Sequence, residues 1–214
     1  MSDKKKMKGK ELVEFARGKI GTAYVYGMKG KTMSADEFDD LHKRYGDRFV
    51  PYSDRKKVGK VCVDCSGLIS WACNIPMSSA GWRDRATEAH PISTIRTAPI
   101  GALVWMKGHI GIYSGMKNGV HHYIAADGSK YGVREVPISA NNFTHWLLVE
   151  DVFDYEMEDD EVVTKEKFEI DGKVVVLDAI RKDGYVYPRI RDLAPHLGYD
   201  VTNDGKMPQL NKKV

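Results

Sequence analysis

The spacing of apolar residues changes character partway along the chain. From Lys10 to Ile20, residues Leu12, Val13, Phe15, Ala16 and Ile20 recur near helical period, and Gly21 ends the run. Gly21–Gly27 reads as a loop with a short extended piece, Tyr24 and Tyr26 alternating with Ala23 and Val25. Ser34-Ala35-Asp36-Glu37 has the form of a capping box ahead of Phe38, Leu41 and Tyr45, a helix that stops near Gly46. Val50–Lys60 is basic and reads as a loop or weak helix. Cys65–Cys73 reads as the central helix, with Asp64 suited to its N-cap. Met77–Pro91 is polar, with a short helix expected around Arg85–His90.

From Pro99 the pattern turns to short runs rich in Val, Ile and Tyr, broken by Gly and Lys-Asn-Gly turns. Strands are expected at Ala102–Trp105, His109–Tyr113, Val120–Ala125, Gly132–Val136 and Trp146–Val149. Helices followed by antiparallel strands predict an α+β fold. A charged, aperiodic stretch around Tyr155–Thr164 marks a boundary. Beyond it, Phe168–Ile170 and Lys173–Leu177 flank Asp171-Gly172, a strong hairpin signal. Asp183-Gly184 marks a further turn. Arg189–Leu197 reads as a short amphipathic helix capped by Gly198, and Val201-Thr202 as an edge strand. The expected organisation is a domain over residues 1–155, a linker over 156–163 and a small α+β domain over 164–214. About fifty residues is marginal for independent stability, so the small domain is expected to pack on a partner or on the first domain.

Composition narrows the function. The net charge of +3 is mild and no basic stripe crosses the middle of the chain, which argues against nucleic acid as a partner. The charge is concentrated at Lys4, Lys5, Lys6, Lys8 and Lys10, while Glu156–Glu161 is acidic. No apolar run reaches the length of a membrane span, and Met1–Lys10 has no signal-peptide character, so synthesis in the cytoplasm is expected. Three cysteines, Cys62, Cys65 and Cys73, are an odd number within twelve residues, which argues against a disulfide framework. Cys62-x-x-Cys65 lacks the second ligand pair that zinc would need, and no H-E-x-x-H pattern exists. No metal or cofactor is expected. Cys62 and Cys73 read as small buried hydrophobes.

Cys65 is different. A cysteine at a helix start meets unpaired backbone N–H groups and the positive dipole end, which stabilise a thiolate. A nucleophile needs a base, and His109 in G-H-I-G-I-Y-S-G is the best candidate on a neighbouring strand.

These residues also carry a resemblance. D-C-S-G-L-I around Cys65 resembles the nucleophile motif of the NlpC-type cell-wall peptidases, which are papain-like cysteine hydrolases. G-T-A-Y-V-Y-G and P-I-G-A-L-V-W…G-H-I-G-I-Y-S-G are similar to that family's flanking segments, in the same order, over Glu11–Val152. The insert at Lys31–Lys60 and Thr144-His145-Trp146 resemble a branch from phages and prophages of Gram-positive bacteria. The resemblance implies a papain-like fold, with N-terminal helices and a central nucleophile helix packed on an antiparallel sheet. It implies Cys65 as nucleophile, His109 as base and Tyr24 beside the thiolate, with Asp64, Ser66 and Tyr24 lining the substrate. It implies bacterial peptidoglycan as partner and cleavage after D-γ-glutamate, before a diamino acid. The site of action would be the wall, after release from a host cell or within a virion.

Ala125 departs from the pattern, standing where the family places the residue that orients the base. His121 and His122 are carried as weak substitutes. Two other functions stay open: a catalytically weak wall-binding or virion structural protein, and an N-acetylmuramoyl-L-alanine amidase of the same fold. Phe168–Val201 resembles a small domain named after the N-terminal domain of copper amine oxidases, found in wall-associated proteins. His196 is its one histidine, so copper is not expected. Wall binding or homo-oligomer formation is expected of it instead.

Overall fold

The apolar stripe of the first helix is buried as its spacing requires. The structure, a computed structural model, describes residues 6–155, 163–182, 185–203 and 208–213. A short strand, β1 (Met7–Lys8), leads into α1 (Gly9–Arg17), where Leu12, Val13 and Ala16 are buried. β2 (Ala23–Tyr24), β3 (Lys29–Thr32) and β4 (Val61–Val63) form a small sheet, β2 parallel to β4 and β3 antiparallel to it. Between β3 and β4 lie α2 (Ala35–Tyr45) and a 3-10 turn at Tyr52–Lys57. Ser34 caps α2 by accepting from the Glu37 N–H at 3.1 Å. The second half of the expected capping box is not seen, because the Glu37 carboxylate pairs with Lys31 at 2.6 Å.

α3 (Cys65–Cys73) follows β4 directly, and α4 (Ser79–Arg85) follows α3. The helix expected at Arg85–His90 is displaced. Ser78 supplies the N-cap, accepting from Gly81 N–H at 3.0 Å, and starts the helix earlier. Glu88–Pro91 then forms strand β5. His90 stacks on Trp146 with ring centroids 4.1 Å apart.

β6 (Leu103–Met106), β7 (His109–Lys117), β8 (Val120–Ala126), β9 (Val133–Pro137) and β10 (His145–Leu148) complete a six-stranded sheet in the order β5–β10–β6–β7–β8–β9. All neighbours are antiparallel. Leu103, Ile110, Ile112, Ile124 and Leu147 share a core with residues of α1 and α3. Alternate residues, among them Val104, Tyr113, Tyr123, Ala125 and Trp146, form a second core with Ile95 and Phe143. Burial of both sets follows from period-two alternation in a sheet covered on two sides. β11 (Phe153–Asp154) pairs in parallel with β1.

Chain contacts divide the molecule into Met1–Met157 and Glu158–Val214. In the second unit β12 (Val163–Ile170), β13 (Lys173–Lys182) and β14 (Tyr185–Pro188) form an antiparallel sheet. Asp171 and Gly172 both have positive φ, 50° and 74°, as a two-residue hairpin turn demands. The expected helix is α5 (Ile190–Leu193) continued by a 3-10 turn at Ala194–Leu197, closed by left-handed Gly198. Val201-Thr202 belongs to β15 (Tyr199–Asn203), which pairs with a strand the sequence did not announce, β16 (Pro208–Lys212). The acidic stretch at 156–161, the Asp183-Gly184 turn, Lys4 and Lys5 lie outside the described residues. Among the described residues no helix is long and apolar enough to cross a membrane.

Candidate active site

One carboxylate sets the start of the central helix. Asp64 Oδ1 accepts from the Gly67 N–H at 2.5 Å and from the Ser66 hydroxyl at 3.0 Å, while Oδ2 accepts from the Gly27 N–H at 2.8 Å. Asp64 therefore caps α3 and ties it to the loop after β2. Gly67 is required by close approach: a Cβ there would lie 2.2 Å from the Met28 carbonyl oxygen. Asp64 and Ser66 were expected to line the substrate. Both are only 5% exposed and bonded inward, and these bonds hold the start of α3 where Cys65 stands.

Cys65 is the first residue of α3, and its side chain lies near enough to the His109 ring to raise the imidazole's affinity for a proton. His109 opens β7, and its Nε2 lies 2.9 Å from Asp127 Oδ1. With Nε2 engaged, Nδ1 is the ring nitrogen left to face the sulfur. The contact with Asp127 follows from strand register. Ile112 pairs with Ile124, and three further steps along this antiparallel ladder bring His109 opposite Asp127.

Asp127 is itself held from several sides. Its Oδ2 accepts from the Tyr123 hydroxyl at 2.7 Å and from Arg134 Nε at 2.6 Å. Asn141 Nδ2 donates to the Tyr123 hydroxyl at 2.6 Å and to Asp127 Oδ1 at 3.3 Å. Phe143 stacks on the His109 ring, centroids 5.7 Å apart, and meets Tyr123 edge-on at 4.8 Å. A Cβ on Gly111 would lie 2.8 Å from the Tyr123 ring, so glycine at that position lets the Tyr123 side chain lie flat across β7.

The electrostatics follow from this packing. Burial opposes charge on His109, but the hydrogen bond to Asp127 and the interactions with Asp127 and Cys65 outweigh it and push the imidazole up to about 9. Burial likewise opposes charge on Asp127. Bonds from His109, Tyr123 and Arg134 nevertheless hold its carboxyl below the usual carboxylate range. Tyr24 is raised well above an ordinary phenol, first by burial and then by the neighbouring charges of Cys65 and Asp64. Its hydroxyl is thus kept neutral, able to donate a hydrogen bond.

The expected substitutes for the orienting residue lie elsewhere. His121 Nδ1 bonds the Tyr113 hydroxyl at 2.7 Å, and His122 Nδ1 lies 2.8 Å from the Val120 carbonyl. His121 stands opposite Met116, six residues from Asp127 along the chain and about 20 Å away at strand rise. Neither reaches His109. Asp127 was missed because it lies one residue past the end of β8. The usable signal was its i, i+2 relation to Ala125, which puts both on one side of an extended chain.

Cys62 is fully buried and its thiol is pushed up by burial, while Cys73 is half-buried. Among the described residues no three His, Cys, Asp or Glu side chains are grouped so as to hold a metal ion.

No family model and no curated protein matches the sequence. Among solved structures, the chain is similar to NlpC1 from Trichomonas vaginalis, at 17% identity and a TM-score of 0.42, over 65% of this chain and 43% of that one. It is also similar to the P60 domain of antigen MAP1204 from M. avium subspecies paratuberculosis, at 20% identity and a TM-score of 0.43, over 66% of this chain and 96% of that one. This chain therefore spans less than half the length of the Trichomonas structure.

Proposed function

We propose that this chain is a cysteine peptidase of bacterial cell walls, a peptidoglycan hydrolase acting on stem peptides. The observation that carries the reading is the hydrogen bond from His109 to Asp127, with Cys65 close enough to His109 to shift its titration. A cysteine, a base and a carboxylate that fixes the base are the parts that thiol acyl transfer needs. The motifs around Tyr24, Cys65 and His109 supply the substrate class through their resemblance to the NlpC-type peptidases.

In this reading Cys65 Sγ attacks the γ-carbonyl of D-glutamate. The helix start, including the Cys65 N–H, stabilises the oxyanion. His109 delivers a proton to the amine of the departing diamino acid as the thioester forms. It then takes a proton from water, which attacks the thioester and frees the glutamate γ-carboxylate and the thiol. Asp127 holds the ring throughout and keeps its charge. Residues 1–155 form the papain-like peptidase domain, and the segment from 164 to 214 is an anchoring, wall-binding or self-association module. A phage or prophage setting, lytic or virion-borne, fits the insert at Lys31–Lys60.

The catalytically weak alternative was motivated by Ala125. A carboxylate two residues on now bonds His109, so no feature of the site favours it. The test is digestion of purified peptidoglycan by wild type beside Cys65→Ala, read by mass spectrometry. Fragments ending in D-glutamate from wild type alone support the endopeptidase. A free lactyl group on the glycan would replace it with the amidase, and intact wall of several chemotypes would overturn the enzymatic reading.

A further inference from the structure

Among the described residues Lys57 is the one buried lysine, 7% exposed, and it lies in the basic stretch Val50–Lys60 that reads as a loop or weak helix. Its ammonium donates to the Tyr24 carbonyl at 2.7 Å, to the Ser129 carbonyl at 3.0 Å and to the Ser129 hydroxyl at 2.8 Å. It pairs with Asp54, itself 1% exposed, at 2.7 Å. The Ser129 hydroxyl donates to the same Asp54 oxygen, leaving Asp54 Oδ2 buried with no protein partner. Burying a lysine is costly unless its donors are all used, and here the acceptors lie on three separate segments, at Tyr24, Asp54 and Ser129.

The two backbone acceptors matter most. Tyr24 carries a hydroxyl whose titration feels the charge of Cys65. Ser129 lies in the loop that begins with Asp127, a loop closed on itself by Asp127 N–H to Gly132 O at 2.9 Å and Gly132 N–H to Gly128 O at 3.0 Å. Farther along, the same two segments are joined by Val133 N–H to Thr22 O and Gly21 N–H to Val133 O, both 2.9 Å. Lys57 closes the end of this seam nearest the reacting groups. The 3-10 turn of the insert therefore spans the segments that supply Tyr24 and Asp127.

We propose that Lys57 is a positioning residue. Its ammonium fixes the distance between the Tyr24 strand and the Asp127 loop, and through Asp127 it fixes the aim of His109 at Cys65. The inference rests on the reading of Cys65, His109 and Asp127 as the reacting constellation. Its test needs no wall substrate, so a failure of peptidoglycan cleavage and a failure of this proposal are separable.

The full chain is titrated by histidine side-chain NMR, and Cys65 is alkylated with iodoacetamide across pH, in wild type, Lys57→Met, Asp54→Asn/Lys57→Met and Ser129→Ala. With Asp127 loosened, the His109 titration in Lys57→Met falls by about one pH unit toward the ordinary histidine range. Alkylation at neutral pH slows about 10-fold or more. The double variant removes both buried charges and separates two roles. If Lys57 only neutralises Asp54, the double variant regains wild-type titration and reactivity, and the proposal is overturned. If Lys57 positions the two segments, the double variant stays impaired. Ser129→Ala keeps the fold and shifts both readouts the same way by less. Unchanged readouts in Ser129→Ala and in each charge variant that folds overturn the proposal, as does unfolding of both charge variants, which would make Lys57 a determinant of folding alone.

Discussion

His109 is the first residue of β7 and Asp127 the first residue past β8, and their side chains meet at 2.9 Å. The orienting carboxylate thus comes from the tip of a strand, not its body. It is fixed there by Tyr123, Arg134 and Asn141, which fill its remaining lone pairs. A ring nitrogen bonded to a fixed carboxylate holds the imidazole in one direction.

Cys65→Ala removes at least about 10³-fold of peptidoglycan-cleaving activity, since nothing else in the site can form a thioester. Cys62→Ala and Cys73→Ala, at positions away from His109, keep the activity of wild type. Release of fragments by each variant is the measurement, and equal losses in all three would remove Cys65 from the nucleophile's place.

Asp127→Asn lowers kcat about 10²-fold or more, because the amide keeps the size of the carboxylate but not its charge. The pH profile moves as well. The imidazole of His109 is raised, so stabilisation from its charged form is complete below the ordinary histidine value and lost as pH rises through about 9. In Asp127→Asn the loss moves to lower pH. A basic limb that stays at the wild-type position would show that Asp127 does not act on His109.

His121→Ala and His122→Ala leave kcat/KM near the wild-type value. His121 bonds the Tyr113 hydroxyl at the far end of the strand pair, and its loss costs stability there instead. Steady-state kinetics on a soluble stem peptide separate the two effects.

Asp64→Ala loses a helix cap and leaves the Gly27 N–H without its acceptor, together costing about 2–4 kcal/mol. Because the same carboxylate sets the start of α3, activity falls more than the folded fraction does. Chemical denaturation and activity measured on one preparation test this.

Acid stability has a separate source. Burial opposes charge on Glu135, yet bonds from Arg17 and Lys117 hold its carboxyl down at about 2. Arg17 Nη2 and Lys117 Nζ lie 3.0 Å and 2.8 Å from its oxygens. A depressed carboxyl contributes stability that is present above the ordinary glutamate value and lost as pH falls from there toward 2. Glu135→Gln therefore lowers the thermal midpoint at neutral pH, and the gap from wild type narrows through that window. A gap that is constant with pH would assign the loss to packing.

Much of this was written locally. Asp64 followed by an apolar run marks the start of α3, and Asp171-Gly172 places a hairpin, because caps and tight turns are decided by neighbouring residues. What was hidden depends on pairing. Glu88–Pro91 has no strand-like composition and becomes β5 by lying against β10, and Pro208–Lys212 becomes β16 against β15 in the same way. Asp127 reaches His109 through a register that motif spacing does not encode, and matching by motif pointed to Ala125 instead. Lys57 looks like any exposed lysine until Tyr24 and Ser129 are brought together around it.

Met7 and Phe153 are partners in the parallel pair of β1 with β11. The two ends of the first unit's framework are therefore side by side. The strand that opens this framework and the strand that closes it thus share one edge. Chain ends that lie together let a domain accept an insertion or a new neighbour without redrawing its interior, so the arrangement around Cys65 does not depend on what is joined there.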